Sequence, residues 1–216
     1  MVQRRRRQQP WPIRITHWAS AVALVAMAAS GLQIWSAYPY LGPRGDLASW
    51  FPFQGREAPA ALRLGSWLGG ARHLHFAFVW LLVGSGAVYV AYQLASGEWR
   101  RRAFSPRRDA RHGLATALHY LRLRRAPPPS GLYNGLQRAG YTLAVTLALA
   151  EVLSGLALWK PVQLGALAAL FGGYDGARAV HLGGLLALAG FTVGHVAMVA
   201  AHPRTFLTMI AGGKRE

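Results

Sequence analysis

The chain has 216 residues, of which 53% are hydrophobic and only 14% charged, against about 25% charged in an average soluble domain. It has no cysteine, which excludes disulfides, iron–sulfur ligation and covalent c-type haem attachment. Its net charge of +17 raises nucleic acid as a partner, a role that the placement of the charges argues against.

In chain order, "RRRR" (Arg4–Arg7) comes first, followed by a nearly charge-free stretch over 13–35. That stretch is about as long as a bilayer span, roughly 17–25 residues, and too long for the apolar part of a signal peptide. The loop Ser36–Ala71 carries "FPFQG" and "LGSWLGG" and leads into a second span over 73–94. Ser105 then stands as a helix N-cap before Pro106 at the first helical position. A helix over 106–123 follows, with Leu114, Leu118 and Leu121 on one face, as in a helix lying on a membrane surface; His112 and His119 read as surface histidines on it. "RRAPPPSG" (Arg124–Gly131) is a hinge-like break. A third span covers 136–159 and contains Glu151, and a fourth covers 179–201, ending at His202 and Pro203. The expected fold is an all-α integral membrane four-helix bundle, one domain over 1–216, with no fifth span and no internal repeat.

Eighteen of the 24 Lys and Arg fall at the N-terminus, between Arg100 and Arg138, or at the C-terminus. The other six are Arg44, Arg56, Arg63, Arg72, Lys160 and Arg178. The positive-inside rule then puts both termini and the middle loop in the cytoplasm. The basic charge is an orientation signal beside anionic lipid, and no nucleic-acid role is expected.

Ionisable residues inside a span are functional candidates. Four histidines qualify: His17, His75, His181 and His195, with His73 a fifth nearer the outer end. The topology matches them by depth, His17 with His195 near the cytoplasm and His75 with His181 near the periplasm. His181 and His195 are fourteen residues apart. That is roughly 21 Å of helical rise and within about 40° of the same face, so one face carries ligands at two depths. Two neutral imidazoles on opposite sides of a flat metal centre suit a six-coordinate haem iron, whereas zinc wants a third or fourth ligand at the same depth. His73 and His75 differ by about 200° around the helix and do not serve one haem together.

Gly31, Gly84, Gly86, Gly183, Gly184, Gly190 and Gly194 leave room for a planar guest or, equally, let helices pack closely. Arg14, Arg72 and Arg178 each precede a candidate ligand by three residues, in "RITH", "RHLH" and "RAVH". One turn toward the membrane surface, they are placed to meet haem propionates or simply to snorkel. Glu151 either hydrogen-bonds near the outer haem or pairs with a cation.

Taken together, "RITHWASAVALVAMAASGLQIW", "ARHLHFAFVWLLVGSGAVY", "YNGLQRAGYTLAV…LSGLAL" and the paired histidines of the fourth span resemble the bacterial di-haem cytochrome b subunits. These are the membrane subunits of formate dehydrogenase, nickel–iron hydrogenase and thiosulfate reductase, often paired with periplasmic molybdopterin oxidoreductases. The resemblance covers nearly the whole chain. It implies two b haems held by His17, His75, His181 and His195, with quinone, ubiquinone or menaquinone, near the cytoplasmic haem. In that family "LHF" supplies the second-span ligand, which selects His75 over His73, and the "YN…Q" stretch implies a quinone pocket at Tyr133, Asn134 and Gln137. Asn134 and Gln137 offer neutral donors to a quinone carbonyl, and Asn134 is equally a candidate N-cap. His202 is a proton carrier for quinone or an interfacial residue ending the helix.

The expected function is electron transfer between a periplasmic partner and the quinone pool of the bacterial inner membrane. The partner would be a molybdoenzyme, a hydrogenase or a small electron carrier. The haems carry the redox chemistry, no side chain is read as catalytic, and Ser36–Ala71 is the expected docking face. Two rivals are a stand-alone di-haem superoxide:quinone oxidoreductase and a non-haem metal transporter.

Overall fold

The computed structural model describes residues 9–42, 49–126, 128 and 133–212. The basic runs Arg4–Arg7 and Lys214–Arg215, together with Arg44 and positions 127 and 129–131 of the expected hinge, lie outside them. The described residues are helical, with no strand among them. The elements are α1 (Trp11–Ala37), α2 (Leu68–Ser96), α3 (Trp99–Arg102), α4 (Pro106–Tyr120), α5 (Gly135–Trp159), α6 (Gly165–Leu170), α7 (Gly173–Ala201) and α8 (Pro203–Ala211), plus a 3₁₀ turn at Ala60–Leu62.

Four helices, α1, α2, α5 and α7, are long and apolar enough to cross a membrane. They are the four expected spans, each longer than the apolar stretch that revealed it. α2 and α7 gain an additional turn or more at their N-terminal ends, Leu68–Arg72 and Gly173–Arg178. Those turns carry glycine or charge, which mutes the hydropathy signal without breaking the helix. α4 ends at Tyr120, three residues early, because Arg122 turns into left-handed backbone at φ 61°. Helix α7 stops at His202 because Pro203 disfavours helical backbone in the residue before it; His202 sits at φ −134° and ψ 65°.

The chain divides into two compact units. The first holds the N-terminus to Arg14, then Tyr89–Leu147 and Gly190 onward. Its α4 lies on the start of α5 with backbone touching backbone: a Cβ at Gly135 would stand 2.5 Å from the Asp109 carbonyl and 2.6 Å from the Gly113 nitrogen. No other residue fits that crossing. Asp109 fastens it, accepting from Arg108 at 2.9 Å, from Arg138 of α5 at 2.9 Å and from the Ser105 amide at 2.8 Å. Ser105 does cap α4 in position, but the capping side chain is Asp109 reaching back, with no bond from the Ser105 hydroxyl. Arg102 is buried, bonded to Gln9, and stacks its guanidinium on Tyr133 and Tyr141.

The second unit holds Ile15–Val88 and Ala148–Ala189. One core cluster joins Trp35, Leu41, Phe51 and Leu182; another joins Ala157, Ala168 and Ala177 across α5, α6 and α7. The loop after α1 is folded onto its helix end. Trp35 donates to the Phe53 carbonyl, and Ser36 accepts from the Ala58 amide.

Within this unit the expectation of no internal repeat fails. α1 carries "SGLQIW" (Ser30–Trp35) and α5 carries "SGLALW" (Ser154–Trp159); α2 carries "ARHLH" (Ala71–His75) and α7 carries "ARAVH" (Ala177–His181). Ala71 and Ala177 are both fully buried. The two helix pairs use these matched residues in the same way. The match is a handful of positions scattered over two helices, too sparse to show as a repeat along the chain.

Candidate haem site

His75 and His181 come together in the second unit, with ring centroids 6.3 Å apart and planes inclined by 61°. Each ring is held from behind by the partner helix of its pair. His75 Nδ1 lies 3.1 Å from Ser30 Oγ, and His181 Nδ1 lies 3.0 Å from Ser154 Oγ. Each serine donates its single proton to its own helix, Ser30 to the Ala26 carbonyl and Ser154 to the Ala150 carbonyl, both at 2.7 Å. A hydroxyl has one hydrogen, so neither serine has a proton left for the imidazole. The imidazoles must therefore donate, Nδ1–H to serine oxygen. That leaves the lone pair on Nε2 of both rings, the form a neutral histidine needs to bind a metal.

Glycine completes each cradle. A Cβ at Gly31 would stand 3.5 Å from His75 Cε1, and one at Gly155 would stand 3.3 Å from His181 Cε1. The Ser-Gly pair thus supplies an acceptor and room for the ring in one step. Gly84, Gly86, Gly190 and Gly194 have no neighbour within 4 Å of an added Cβ, so close helix packing is not what requires them. Gly183 faces Trp50, and Gly184 faces Glu151.

Two imidazoles on opposite sides of one iron, with metal–nitrogen bonds of about 2 Å and ring radii of roughly 1 Å, place their centroids about 6 Å apart. The observed 6.3 Å and the two fixed tautomers fit a bis-histidine haem. Among the described residues no group of three or more His, Asp and Glu could hold a metal ion unaided. A haem needs only these two side chains because the porphyrin supplies the other four nitrogens.

Glu151 lies beside this pair. Its Oε2 is 3.1 Å from His181 Nδ1, and its Oε1 is buried with no hydrogen-bond partner. Of the two readings for Glu151, the structure selects contact with a candidate ligand.

His17 on α1 is half-buried, with Trp18 edge-on at 5.1 Å. His195 on α7 stacks on Phe191 at 5.9 Å. The two fall in different units. His73 is exposed on α2.

The three arginines differ. Arg72 is exposed. Arg178 donates to the Tyr40 and Tyr38 carbonyls and packs over Trp35 and Tyr38, which ties the loop to α7. Arg14 donates to the Met209 carbonyl of α8. In the first unit, Asn134 Oδ1 accepts from the Gln137 amide at 2.8 Å and Gln137 Oε1 accepts from the Asn134 amide at 3.1 Å. This reciprocal box caps α5. Tyr133 is buried beneath Arg102. His202 donates from Nδ1 to the Met198 carbonyl and meets Tyr120 edge-on.

Ser30, Ser154 and Gly155 escaped the sequence reading. The repeated "SGL" opposite each "ARxxH" was the available signal, and it means nothing until α1 is known to face α2 and α5 to face α7.

A four-span helical protein with a paired histidine site is what a membrane cytochrome b requires. Residues 8–212 match the prokaryotic cytochrome b561 family, and the chain belongs to that family. It is also similar to the putative protein-methionine-sulfoxide reductase subunit YedZ1 of Azospira oryzae, with 42% identity over 204 residues, covering 94% of each chain. No solved structure matches the chain. It is therefore a multi-pass inner-membrane protein, and its family implies b-type haem and an electron-transfer role.

Proposed function

We propose that the chain is the membrane subunit of a quinone-linked oxidoreductase, carrying electrons between a periplasmic partner and quinone through two b haems. The observation that carries this is the His75–His181 pair, whose serine partners leave both Nε2 atoms as lone-pair donors on rings whose centroid separation fits one iron. The haem so held supplies one-electron chemistry. The chain's own residues set the ligand tautomers, enclose the rings and keep the site in a low-dielectric surrounding.

The depth matching along the sequence supports His17 and His195 as the ligands of the second haem in this reading, nearer the cytoplasm, and the charge distribution supports both termini on that side. Arg72 is the propionate partner best placed by its exposure. Arg178 and Arg14, each already donating to carbonyls, would add a propionate contact to a tethering role. Quinone reacts near the second haem. There Asn134 and Gln137 spend their amide oxygens on the helix cap and turn their amino groups to the quinone. Tyr133 stiffens that end, and His202 relays protons at the water boundary. The partner is a periplasmic oxidoreductase of the molybdoenzyme class. The similarity to a protein named as a methionine-sulfoxide reductase subunit favours it over a hydrogenase, and a partnered subunit over a stand-alone superoxide:quinone enzyme.

The test is a pyridine haemochrome assay on detergent-purified protein. Two haems per chain are expected, one in His75→Ala and in His181→Ala, and two in His73→Ala. One haem or none in the parent chain, or loss of haem in His73→Ala with retention in His75→Ala, refutes the reading.

A further inference from the structure

The two halves of the candidate haem site share one plan, which makes their difference visible. Three residues before the serine stands Met27 on α1 but Glu151 on α5; three residues after the histidine stands Phe78 on α2 but Gly184 on α7. One half carries two large apolar residues at positions where the other carries a carboxylate and a glycine. The two exchanges depend on each other. A Cβ at Gly184 would collide with Glu151 Oε1, so the carboxylate occupies space that the glycine yields. Glu151 is only 11% exposed, at the heart of a membrane-spanning helix, where an ionisable side chain is expensive. It makes one described contact with a titratable side chain, to His181 Nδ1.

We propose that Glu151 is a positioning residue for the His181 ligand that sets the reduction potential of the haem held by His75 and His181. This rests on reading that pair as iron ligands. His181 donates its Nδ1 proton toward Ser154 Oγ at 3.0 Å and Glu151 Oε2 at 3.1 Å, whereas His75 faces Ser30 Oγ and the Met27 carbonyl but no carboxyl group. A carboxyl oxygen accepting from the Nδ1–H makes the imidazole a stronger donor at Nε2. A stronger donor favours the ferric over the ferrous ion, since the ferric centre carries one more positive charge. The potential of this haem is thereby lowered. Gly184 is the second member of the device, because it lets the carboxylate reach the ring.

The experiment is a potentiometric titration of the b-haem absorption of the full-length protein in detergent, with haem content measured on each sample. Glu151→Leu keeps much of the bulk but removes the acceptor oxygens. Gly184→Ala keeps the carboxyl group but pushes it off the ring. In each, the reduction equilibrium of one haem is expected to shift about tenfold toward the reduced form, a rise of about 59 mV for a one-electron couple. The haem that shifts should be the one lost in His181→Ala, with the other unmoved. An unchanged potential in both variants, or a shift confined to the haem that survives His181→Ala, overturns the proposal. If Glu151→Leu does not assemble, Gly184→Ala decides by the same readout. A parent chain with no haem on this pair refutes the site itself, a result the haem assay shows separately.

Discussion

Ser30 and Ser154 occupy equivalent places, yet their loss should not be equal. Ser30→Ala removes the hydroxyl 3.1 Å from His75 Nδ1. The buried imidazole N–H is then left with poorer acceptors. A buried donor deprived of its partner costs about 1–3 kcal/mol. The Met27 carbonyl faces the same ring edge and offsets part of this, so about 1–2 kcal/mol is expected, roughly five- to thirtyfold in haem affinity. Ser154→Ala removes a hydroxyl from His181, but Glu151 Oε2 remains at 3.1 Å. The N–H keeps a carboxyl oxygen as acceptor, and the cost should stay below about 1 kcal/mol, under fivefold. The assay is haem release from purified protein to an excess of haem-scavenging apoprotein, followed in the Soret band, with far-UV circular dichroism to confirm intact helices. Faster loss in Ser154→Ala than in Ser30→Ala refutes the tautomer assignment.

Two further outcomes concern the other unit. The hydrogen bond from Arg108, aided by the Ser105 amide and by Arg138, holds the Asp109 carboxyl at about 2, well below its ordinary 3.8. A carboxyl depressed on folding stabilises fully above its ordinary value, and that support fades as pH falls through about 4 to about 2. Thermal melting in detergent should therefore be flat in this respect from pH 7 to about 4. Asp109→Asn should lose about 1–2 kcal/mol at neutral pH; an unchanged melting temperature at pH 7 contradicts the role. Asn134→Ser keeps a good N-cap but lacks the amide donor, so quinone reduction should slow severalfold with both haem spectra intact. Normal quinone kinetics in Asn134→Ser would leave Asn134 a helix cap and nothing more.

How much was legible in advance differs between the spans and the site. The four spans stand out because a bilayer demands long, charge-poor helices, and little else in this composition is so constrained. Their extra turns were not legible, since Arg72 and Arg178 look like ends when they are in fact one helical turn inside α2 and α7. The Asn134–Gln137 spacing pointed both to a cap and to a binding function. The structure shows the cap outright, because backbone amides at a helix start need acceptors wherever the helix lies.

His75 and His181 could be singled out because an ionisable group in an apolar span needs a reason to be there, and chain order alone set their matching depths. The identity of the side chains behind them could not be found that way. A serine in a helix more often bonds its own backbone than a distant ring. Ser30 and Ser154 do both, and only the packing of α1 on α2 and of α5 on α7 reveals the second bond. The same holds for Glu151, an acidic side chain without a partner along the chain. Its carboxylate reaches His181 because Gly184, thirty-three positions away, leaves a gap where any side chain would stand. Composition and helical period dictate which residues enter the membrane. Which of them touch depends on how the helices pack, and contacts between residues so far apart exist only once the chain is folded.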